Sequence, residues 1–400
     1  MQNLKIKVES DVENSDSSSG SNCWDNSDTS RMFYELDSVH EELIASNKYI
    51  LHIDATCDSE PNIATALTDG WCQIYKLINN GMLSIAKLVG HKEKIIGCRF
   101  SKQDPNLIYT GSTRFITLWD IRTPEMSVIN FIDTTVENDN FKTFNCFDVS
   151  PNERLLTAGT ELFGGDAFLL FWDIRKRQLL GGYWESHTDD ITQVQFHSEN
   201  KDSLLSGSTD GLINVYDLSQ PNEEDALIDS LNTQSSVDHL LWFKENGKDN
   251  ISCITHTFDL QLWNLEKAAP YEHFTRSDIA SLLKEKNEKH TYLAKVHGGI
   301  NYLLLLAGSN SKEGKCLRSL HFQAGKPQPA YSFKNNRQLV RSSWFNHNVS
   351  NSISSNINWY HLEFQNIIHY GFCVCTNMQL SCLYAKRGNC LLYPKEVLGL

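Results

Sequence analysis

The chain repeats one order of short hydrophobic and polar segments. Within residues 186–218, "ITQVQFH" alternates apolar and polar residues, as a half-buried strand does, and the polar turn "SENKD" follows it. A second short strand, "SLLSGS", a tight turn, "TDG", and a third, mostly apolar strand, "LINVYDL", complete the unit. The pattern predicts short strands joined by tight turns, and therefore an all-β fold.

The same order of segments returns along the chain, at residues 90–121, 141–174 and 234–265, and an earlier copy ends at 65–77. Aromatic residues close the third strand at intervals of 44, 53, 44 and 47 residues, which is the period of four-stranded propeller blades. We interpret "ELFGGDA" (161–167), within the 53-residue step, as a longer hairpin loop. The closing residues are Tyr75, Trp119, Trp172, Tyr216 and Trp263.

These repeats resemble those of WD-repeat proteins. The resemblance rests on the spacing from the Gly-His or Ser-His pair to the Trp-Asp pair and on the "SGSTDG" turn. It is strongest over residues 140–230 and extends over 33–346. It implies a WD-repeat β-propeller of four-stranded blades. With about 45 residues per blade, this length predicts seven blades, the last incomplete or atypical, with six and eight as the alternatives.

In the family, a His before the first strand, a Ser or Thr of the second, the Asp of the turn and the Trp of the third form a hydrogen-bonded chain. Here Arg114 stands at one turn position and Tyr216 at one Trp position, so we expect both chains to be broken and the blades to be loose. The resemblance assigns structural roles in the blades to His91, Ser112, Trp119, Asp120, Trp172, Asp173, His187, Ser208, Asp210, Tyr216, Asp217 and Trp263.

The chain divides into three segments. Residues 1–32 are polar, acidic and rich in serine, which predicts a disordered tail, and 33–346 form the propeller. Residues 276–290 read as a helical excursion between blades. Residues 347–400 form an atypical tail, which we interpret as an alternative or mispredicted final exon that leaves the propeller open. The alternative is a divergent blade whose strands, "INWYHLEF" and "FCVCT", pair with the others.

Composition narrows the classes of function. The net charge of −13 argues against nucleic acid as the primary ligand, and no segment is apolar enough to cross a membrane. The N-terminus has no secretory signal pattern, so we expect an intracellular protein, in the nucleus or the cytoplasm. The eleven cysteines include no CxxC pair, and no catalytic or phosphate-binding motif is present. The sequence therefore predicts neither an enzyme nor a cofactor or metal site.

A repeated four-residue motif supplies the candidate binding residues. "WDIR" ends the third strand of two consecutive repeats, at 119–122 and 172–175. Because side chains alternate along a strand, Arg122 shares a face with Asp120, and Arg175 with Asp173. Both arginines are expected on one rim, where they could bind acidic or carbonyl groups of a partner. The alternative is that each arginine pairs with its own aspartate or with a neighbouring strand.

The doubled Trp-Asp-x-Arg motif is similar to the box in WD-repeat substrate receptors of cullin 4 RING ubiquitin ligases, in which the arginines face the adaptor subunit. The resemblance implies a protein-interaction scaffold, with that adaptor as the candidate partner of Arg122 and Arg175. A monomeric propeller within a larger complex is expected. The alternative is an assembly scaffold, for instance in ribosome maturation, that would use the opposite rim.

Overall fold

The fold is taken from a computed structural model that describes residues 33–43, 49–58, 60–78, 81–136, 140–299, 301–311, 316–333, 336, 338–345, 372–375 and 379–384. The tail predicted to be disordered, 1–32, and the predicted strand "INWYHLEF" lie outside the described residues.

Five four-stranded antiparallel sheets follow one another along the chain, each in the strand order of the sequence. The first contains β2 (Ile50–Ala55), β3 (Asn62–Leu67), β4 (Trp71–Ile78) and β5 (Gly81–Val89), and the second β6 (Ile95–Phe100), β7 (Leu107–Ser112), β8 (Phe115–Asp120) and β9 (Ser127–Ile132). The third contains β10 (Phe144–Val149), β11 (Leu155–Thr160), β12 (Leu169–Asp173) and β13 (Gln178–Tyr183). The fourth contains β14 (Ile191–Phe196), β15 (Ser203–Ser208), β16 (Leu212–Asp217) and β17 (Leu227–Asn232), and the fifth β18 (Val237–Glu245), β19 (Lys248–Thr255), β20 (Leu260–Asn264) and β21 (Glu272–Phe274).

The sixth sheet has eight strands, and it corrects the predicted count of seven blades to six. β1 (Tyr34–Leu43) pairs in parallel with β25 (Lys326–Phe333) through its first residues and antiparallel with β28 (Gln379–Tyr384) through the rest. This double pairing merges two groups of four strands into one hydrogen-bonded sheet. Its order is β22 (Thr291–Gly299), β23 (Tyr302–Ser309), β24 (Cys316–Gln323), β25 (Lys326–Phe333), β1, β28 (Gln379–Tyr384), β27 (Phe372–Cys375) and β26 (Ser342–Phe345).

The ring closes, contrary to the expectation of an open propeller. β26 contacts β2 of the first sheet and β22 of its own sheet, and the first strands of the other sheets contact one another in chain order. β27 and β28, which lie within the atypical tail, pair with β26 and β1. Within that tail, "FCVC" forms β27, which is one of the two strands that the divergent-blade alternative names.

Side chains on the first strands connect each sheet to the next. Asp54 accepts a 2.8 Å hydrogen bond from the backbone N–H of Phe100, and Asp148 accepts one of the same length from Phe196. The close approach of the sheets also requires a glycine in the second strand. A Cβ on Gly207 would lie 2.6 Å from Cγ1 of Val237 in the next sheet. The "SGS" of the repeat is therefore a packing requirement as well as a turn signal.

The predicted helical excursion is present between the fifth and sixth sheets. Helix α2 (Arg276–Leu283) begins with a capping box formed by Thr275 and Asp278, and it buries Ile279 and Leu283 in the core of the sixth sheet. A short 3-10 turn (Glu288–His290) follows, and helix α1 (Glu223–Ala226) precedes β17. No helix in the described part of the chain is long and apolar enough to span a membrane.

Candidate protein-interaction site

A buried hydrogen-bonded chain joins the fourth sheet to the loop before it. His187 Nδ1 lies 2.9 Å from Asp210 Oδ2, and His187 Nε2 lies 2.6 Å from Ser206 Oγ. Ser206 Oγ lies 3.4 Å from the hydroxyl of Tyr216. The chain is complete, so the expectation that Tyr216 would break it is wrong. A phenol hydroxyl occupies the place in which an indole N–H was expected.

The hydroxyl in this chain belongs to Ser206, not to the predicted Ser208. The two side chains share a face of β15, because they are two residues apart. Ser208 Oγ donates to the carbonyl of Asp189 and accepts from the backbone N–H of Asp210, so it closes the turn. Burial pushes the pKa of Asp210 up, but the bonds that it accepts, chiefly from His187, hold it below its usual value.

The second sheet contains an interrupted version of the same chain. His91 Nε2 lies 2.7 Å from Thr110 Oγ1, which also accepts a 2.8 Å bond from Trp119 Nε1. Thr110 thus takes the role predicted for Ser112, whose Oγ donates to the carbonyl of Phe115 in the turn. His91 Nδ1 is buried and has no hydrogen-bond partner among the described residues.

The substitution at the turn explains this interruption, as the sequence predicted. Arg114 stands where the fourth sheet has Asp210, and a guanidinium has no acceptor atom for a hydrogen bond from an imidazole N–H. Arg114 instead lies over the ring of Phe141, 4.3 Å from its centroid. Burial lowers the pKa of His91 from 6.5 to about 4, so His91 is neutral at pH 7.

The Asp210–His187–Ser206 arrangement has the residue types of a hydrolytic triad, but its position excludes that chemistry. Ser206 is fully buried, and the side chain of His187 is only 1% exposed. A nucleophile must reach a substrate, and this hydroxyl faces a neighbouring tyrosine in the interior. The chain therefore stabilises the sheet. In addition, no cluster of metal-ligating side chains is found in the part of the chain that the structure describes.

The remaining third-strand residues also have structural contacts. Trp172 Nε1 donates to the carbonyl of Ile132 in the preceding sheet, and Trp263 Nε1 donates to Gln261 Oε1. Asp217 accepts from the backbone N–H of Ser219 in the turn after β16. The hydrogen bond from the Ser219 side chain is the largest cause of the lowered pKa of Asp217, followed by this backbone contact.

The two candidate arginines, Arg122 and Arg175, differ in their pairing with the neighbouring aspartate. Arg122 forms a bidentate ion pair with its own aspartate: its Nε lies 2.9 Å from Asp120 Oδ1 and its Nη2 lies 2.6 Å from Asp120 Oδ2. The hydrogen bond from the Arg122 side chain is the largest cause of the lowered pKa of Asp120. Arg175 is exposed, while Asp173 is buried and accepts the backbone N–H of Lys176. The structure thus pairs the first arginine internally and leaves the second accessible.

Arg175 belongs to a group of exposed cations, here called the basic corner. Arg154 lies beside it, since the Arg154 carbonyl accepts the N–H of Ile174, and Glu153 connects the neighbouring loop by accepting bonds from Ser101 and Lys102. Within the described ranges, none of these cations has an ion-pair partner. The basic corner consists of Lys102, Arg154, Arg175, Lys176 and Arg177.

The ring of antiparallel sheets with repeated His–hydroxyl chains is the arrangement of a WD-repeat β-propeller. Two stretches match the family "WD domain, G-beta repeat", at residues 83–120 and 179–217. The first covers β6 to β8, and the second covers β14 to β16, so the matches include both hydrogen-bonded chains.

Curated proteins extend the similarity. The chain is 24% identical to WD repeat-containing protein 89 homolog of Dictyostelium discoideum over 282 residues, 70% of this chain and 71% of that protein. The segments "DAFLLFWDIR" and "SHTDDITQVQF" also resemble WD repeat-containing protein 89, in agreement with this match. It is 38% identical over 143 residues to an uncharacterized WD repeat-containing protein of Saccharomyces cerevisiae, 36% of this chain and 34% of that protein. It is 29% identical over 209 residues to WD repeat-containing protein GTS1 of Arabidopsis thaliana, 51% of this chain and 50% of that protein.

Proposed function

We propose that the protein is a non-enzymatic scaffold that binds a protein partner through the basic corner. One observation carries the proposal: the five cations of this corner are exposed and have no ion-pair partner among the described residues, in a chain of net charge −13. The carboxylates beside them are already engaged, since Glu153 accepts bonds from the adjoining loop and Asp173 accepts one from Lys176. Their positive charge is therefore available to a partner.

The partner that the repeated motif favours is the adaptor of a cullin 4 ubiquitin ligase. Two Trp-Asp-x-Arg motifs end the third strands β8 and β12 of adjacent sheets, so Arg122 and Arg175 emerge on one rim. Arg175 can bind at once, because it is free. Arg122 must leave Asp120 before it can bind, and part of its interaction with a partner would be offset by that loss. Arg175 is thus the stronger contributor.

Tagged co-purification from cells tests the proposal. The native chain is compared with Arg175→Ala/Arg177→Ala and with a matched control, Lys201→Ala/Lys248→Ala, which removes two exposed cations that already pair with Asp202 and Glu266. We expect the adaptor to be recovered with the native chain and with the control variant. Its recovery should fall at least fivefold with Arg175→Ala/Arg177→Ala.

Two other results would contradict the adaptor proposal. Equal recovery of the adaptor with both double variants would show that the basic corner is not the interface. Recovery of ribosome-assembly factors without ligase subunits, unaffected by Arg175→Ala/Arg177→Ala, would favour the assembly scaffold instead. Each variant must first give the native circular dichroism spectrum and thermal midpoint.

A further inference from the structure

The inner strands of the sheets surround a channel along the axis of the ring. β2, β6, β10, β14, β18, β22 and β26 contact one another in that order, and β26 closes the circle on β2. Side chains in the middle of these strands are only half-buried although their neighbours are buried, as expected of a wall that faces solvent inside the ring. We propose that this channel binds a small phosphate-containing anion between His52, His239 and Lys295.

These three side chains lie at one level of the channel wall. His52, His239 and Lys295 each form the first strand pair after the irregularity that opens β2, β18 and β22. Equal register in strands that share one ring places the three residues at a similar depth. Because β22 contacts β18 on one side and β26 on the other, Lys295 lies between the two histidines around the ring. A bond of 3.2 Å from Lys295 Nζ to the carbonyl of Ser343 in β26 holds it there.

The two imidazoles do not connect the inner strands to one another. At the equivalent position of β14, Gln193 both donates to and accepts from the backbone of Leu240 in the next inner strand. His52 forms no hydrogen bond with another described residue, and His239 Nδ1 is buried without a partner in the described part of the chain. A buried polar atom without a partner is costly, and an anion would accept a hydrogen bond from a ring N–H.

The charged groups that act on both imidazoles are cations. Burial is the main reason why the pKa of His52 falls to about 4 and that of His239 to about 3. Lys295 and Arg99 lower the pKa of both rings further, and Lys94, just before β6, also lowers that of His52. The electrostatic potential at the two rings is therefore positive. Walls of low dielectric strengthen such a potential, which attracts an anion.

The carboxylates near this level already have partners. The equivalent positions of β6, β10 and β14 hold Gly97, Cys146 and Gln193, none of which is acidic. Asp54 and Asp148 lie two residues further along their strands, and each accepts a backbone N–H from the next inner strand but one or its neighbour. Asp238, the residue before His239, lies 3.4 Å from His256 Nε2 and pairs with it.

The arrangement of the cations favours an anion with several oxygens. Lys295 lies at the level of the histidines, whereas Arg99 lies two residues beyond that level on β6, beside Asp148. The side chain of Arg99 is 41% exposed, so it is open to the channel. Phosphate oxygens form strong charge-assisted hydrogen bonds with ammonium and guanidinium groups. A chain of phosphates can reach both levels, which a single phosphate cannot.

Isothermal titration calorimetry of the full-length protein with inorganic phosphate and inorganic triphosphate tests the proposal. We expect one triphosphate per chain, bound more tightly than phosphate. His239→Leu should weaken the binding of triphosphate at least tenfold, and so should Lys295→Met. His273→Leu is the matched control, because His273 is 45% exposed on β21, the outer strand of the same sheet as His239, and it should change the affinity less than twofold.

The variants separate a lost site from a lost fold. His239→Leu removes a buried nitrogen that has no partner among the described residues, so without an anion it should keep at least the native thermal midpoint. Lys295→Met decides the result if His239→Leu does not fold.

Arg175→Ala/Arg177→Ala should leave the affinity for triphosphate unchanged, whatever it does to the co-purified partner of the basic corner. The proposal is overturned if neither anion gives saturable binding, or if His239→Leu and Lys295→Met bind triphosphate as tightly as the native chain. It is also overturned if Arg175→Ala/Arg177→Ala abolishes binding, since the anion would then bind at the basic corner.

Discussion

Replacing Asp210 by alanine should destabilise the protein far more than replacing Arg114, although both occupy the same turn position in their repeats. Asp210 Oδ2 is hydrogen-bonded to His187 Nδ1 at 2.9 Å, and Asp210 Oδ1 accepts a 2.8 Å hydrogen bond from the N–H of Leu212. It also accepts the N–H of Thr188, which is exposed and can bind water instead. The substitution therefore leaves two inner donors without an acceptor.

The magnitude follows from those two donors. A buried donor that loses its acceptor costs about 1–3 kcal/mol, so with two such donors Asp210→Ala should lower the free energy of unfolding by about 2–6 kcal/mol. Arg114→Ala removes no acceptor, because His91 Nδ1 already lacks one. It loses the contact with the exposed ring of Phe141, which is worth about 0.5–1 kcal/mol, and a long, solvent-exposed ion pair with Glu93, which contributes about 0–1 kcal/mol.

Urea denaturation followed by circular dichroism measures the difference. Both variants should keep the slope of the native transition and differ in midpoint, which is the sign of a changed stability rather than a changed unfolded state. Asp210→Asn is the isosteric control, and it should fall between Asp210→Ala and the native chain. The reasoning fails if Asp210→Ala and Arg114→Ala have midpoints within error of each other, since the hydrogen-bonded chain would then contribute nothing.

Three further perturbations follow from buried groups. Burial lowers the pKa of His91 from 6.5 to about 4, so between these values the unfolded chain binds a proton that the folded chain excludes. Stability should fall as pH drops from 6.5, by about 3 kcal/mol at pH 4 from this residue, and a pH series of denaturation midpoints should be flatter in His91→Gln. Lys142→Met should cost about 3–5 kcal/mol by thermal and urea denaturation, because it strands the carboxylate of Asp133, and Lys142→Met/Asp133→Asn should recover part of it. Gly207→Ala should cost about 1–3 kcal/mol in the same assay, because its Cβ would overlap Val237, whereas Gly165→Ala, with open space but a φ of 108°, should show only a smaller, backbone effect.

The period of the apolar pattern was enough to predict the strands. Tyr75, Trp119, Trp172, Tyr216 and Trp263 all lie in the third strands of the first five sheets, and all are buried. Periodicity succeeds here because each unit must bury one face of its strands against the next sheet, which fixes the alternation. The helical excursion was predictable for a similar reason, since Thr275 and Asp278 form a capping box that the sequence already contains.

The sequence pattern could not decide which of two hydroxyl side chains in a second strand joins the hydrogen-bonded chain. Ser206 and Ser208 are two residues apart on one face of β15, and only the position of the His187 ring decides which one it meets. The same ambiguity separates Thr110 from Ser112. Whether Tyr216 would complete the hydrogen-bonded chain also depended on a distance, because its phenol oxygen must reach Ser206 on β15 from the neighbouring strand β16.

Ring closure depended on pairing between distant parts of the chain, which a local pattern does not encode. β1 pairs with β25 and β28, whose positions differ from its own by some 300 residues or more, and the double pairing turns two groups of four strands into one sheet. The number of sheets is therefore six instead of seven because hydrogen bonds join two groups of four strands, and not because a repeat is missing. For the same reason, the tail could be judged only by the register of β27 and β28.

The two rims of the third sheet differ in a way that follows from their local chemistry. At one end, the carboxylates of Asp173 and Glu153 accept hydrogen bonds from backbone and side-chain donors. Arg175 and its neighbours therefore remain exposed cations. At the other end, the ammonium group of Lys142 pairs with Asp133 in the interior, while the apolar Ile132 and Phe141 are exposed beside the polar Lys92 and Asn140. Internal pairing of the acidic groups at the first end thus leaves Arg175 and its neighbours as exposed cations, whereas the second end exposes a mixture of apolar and polar groups.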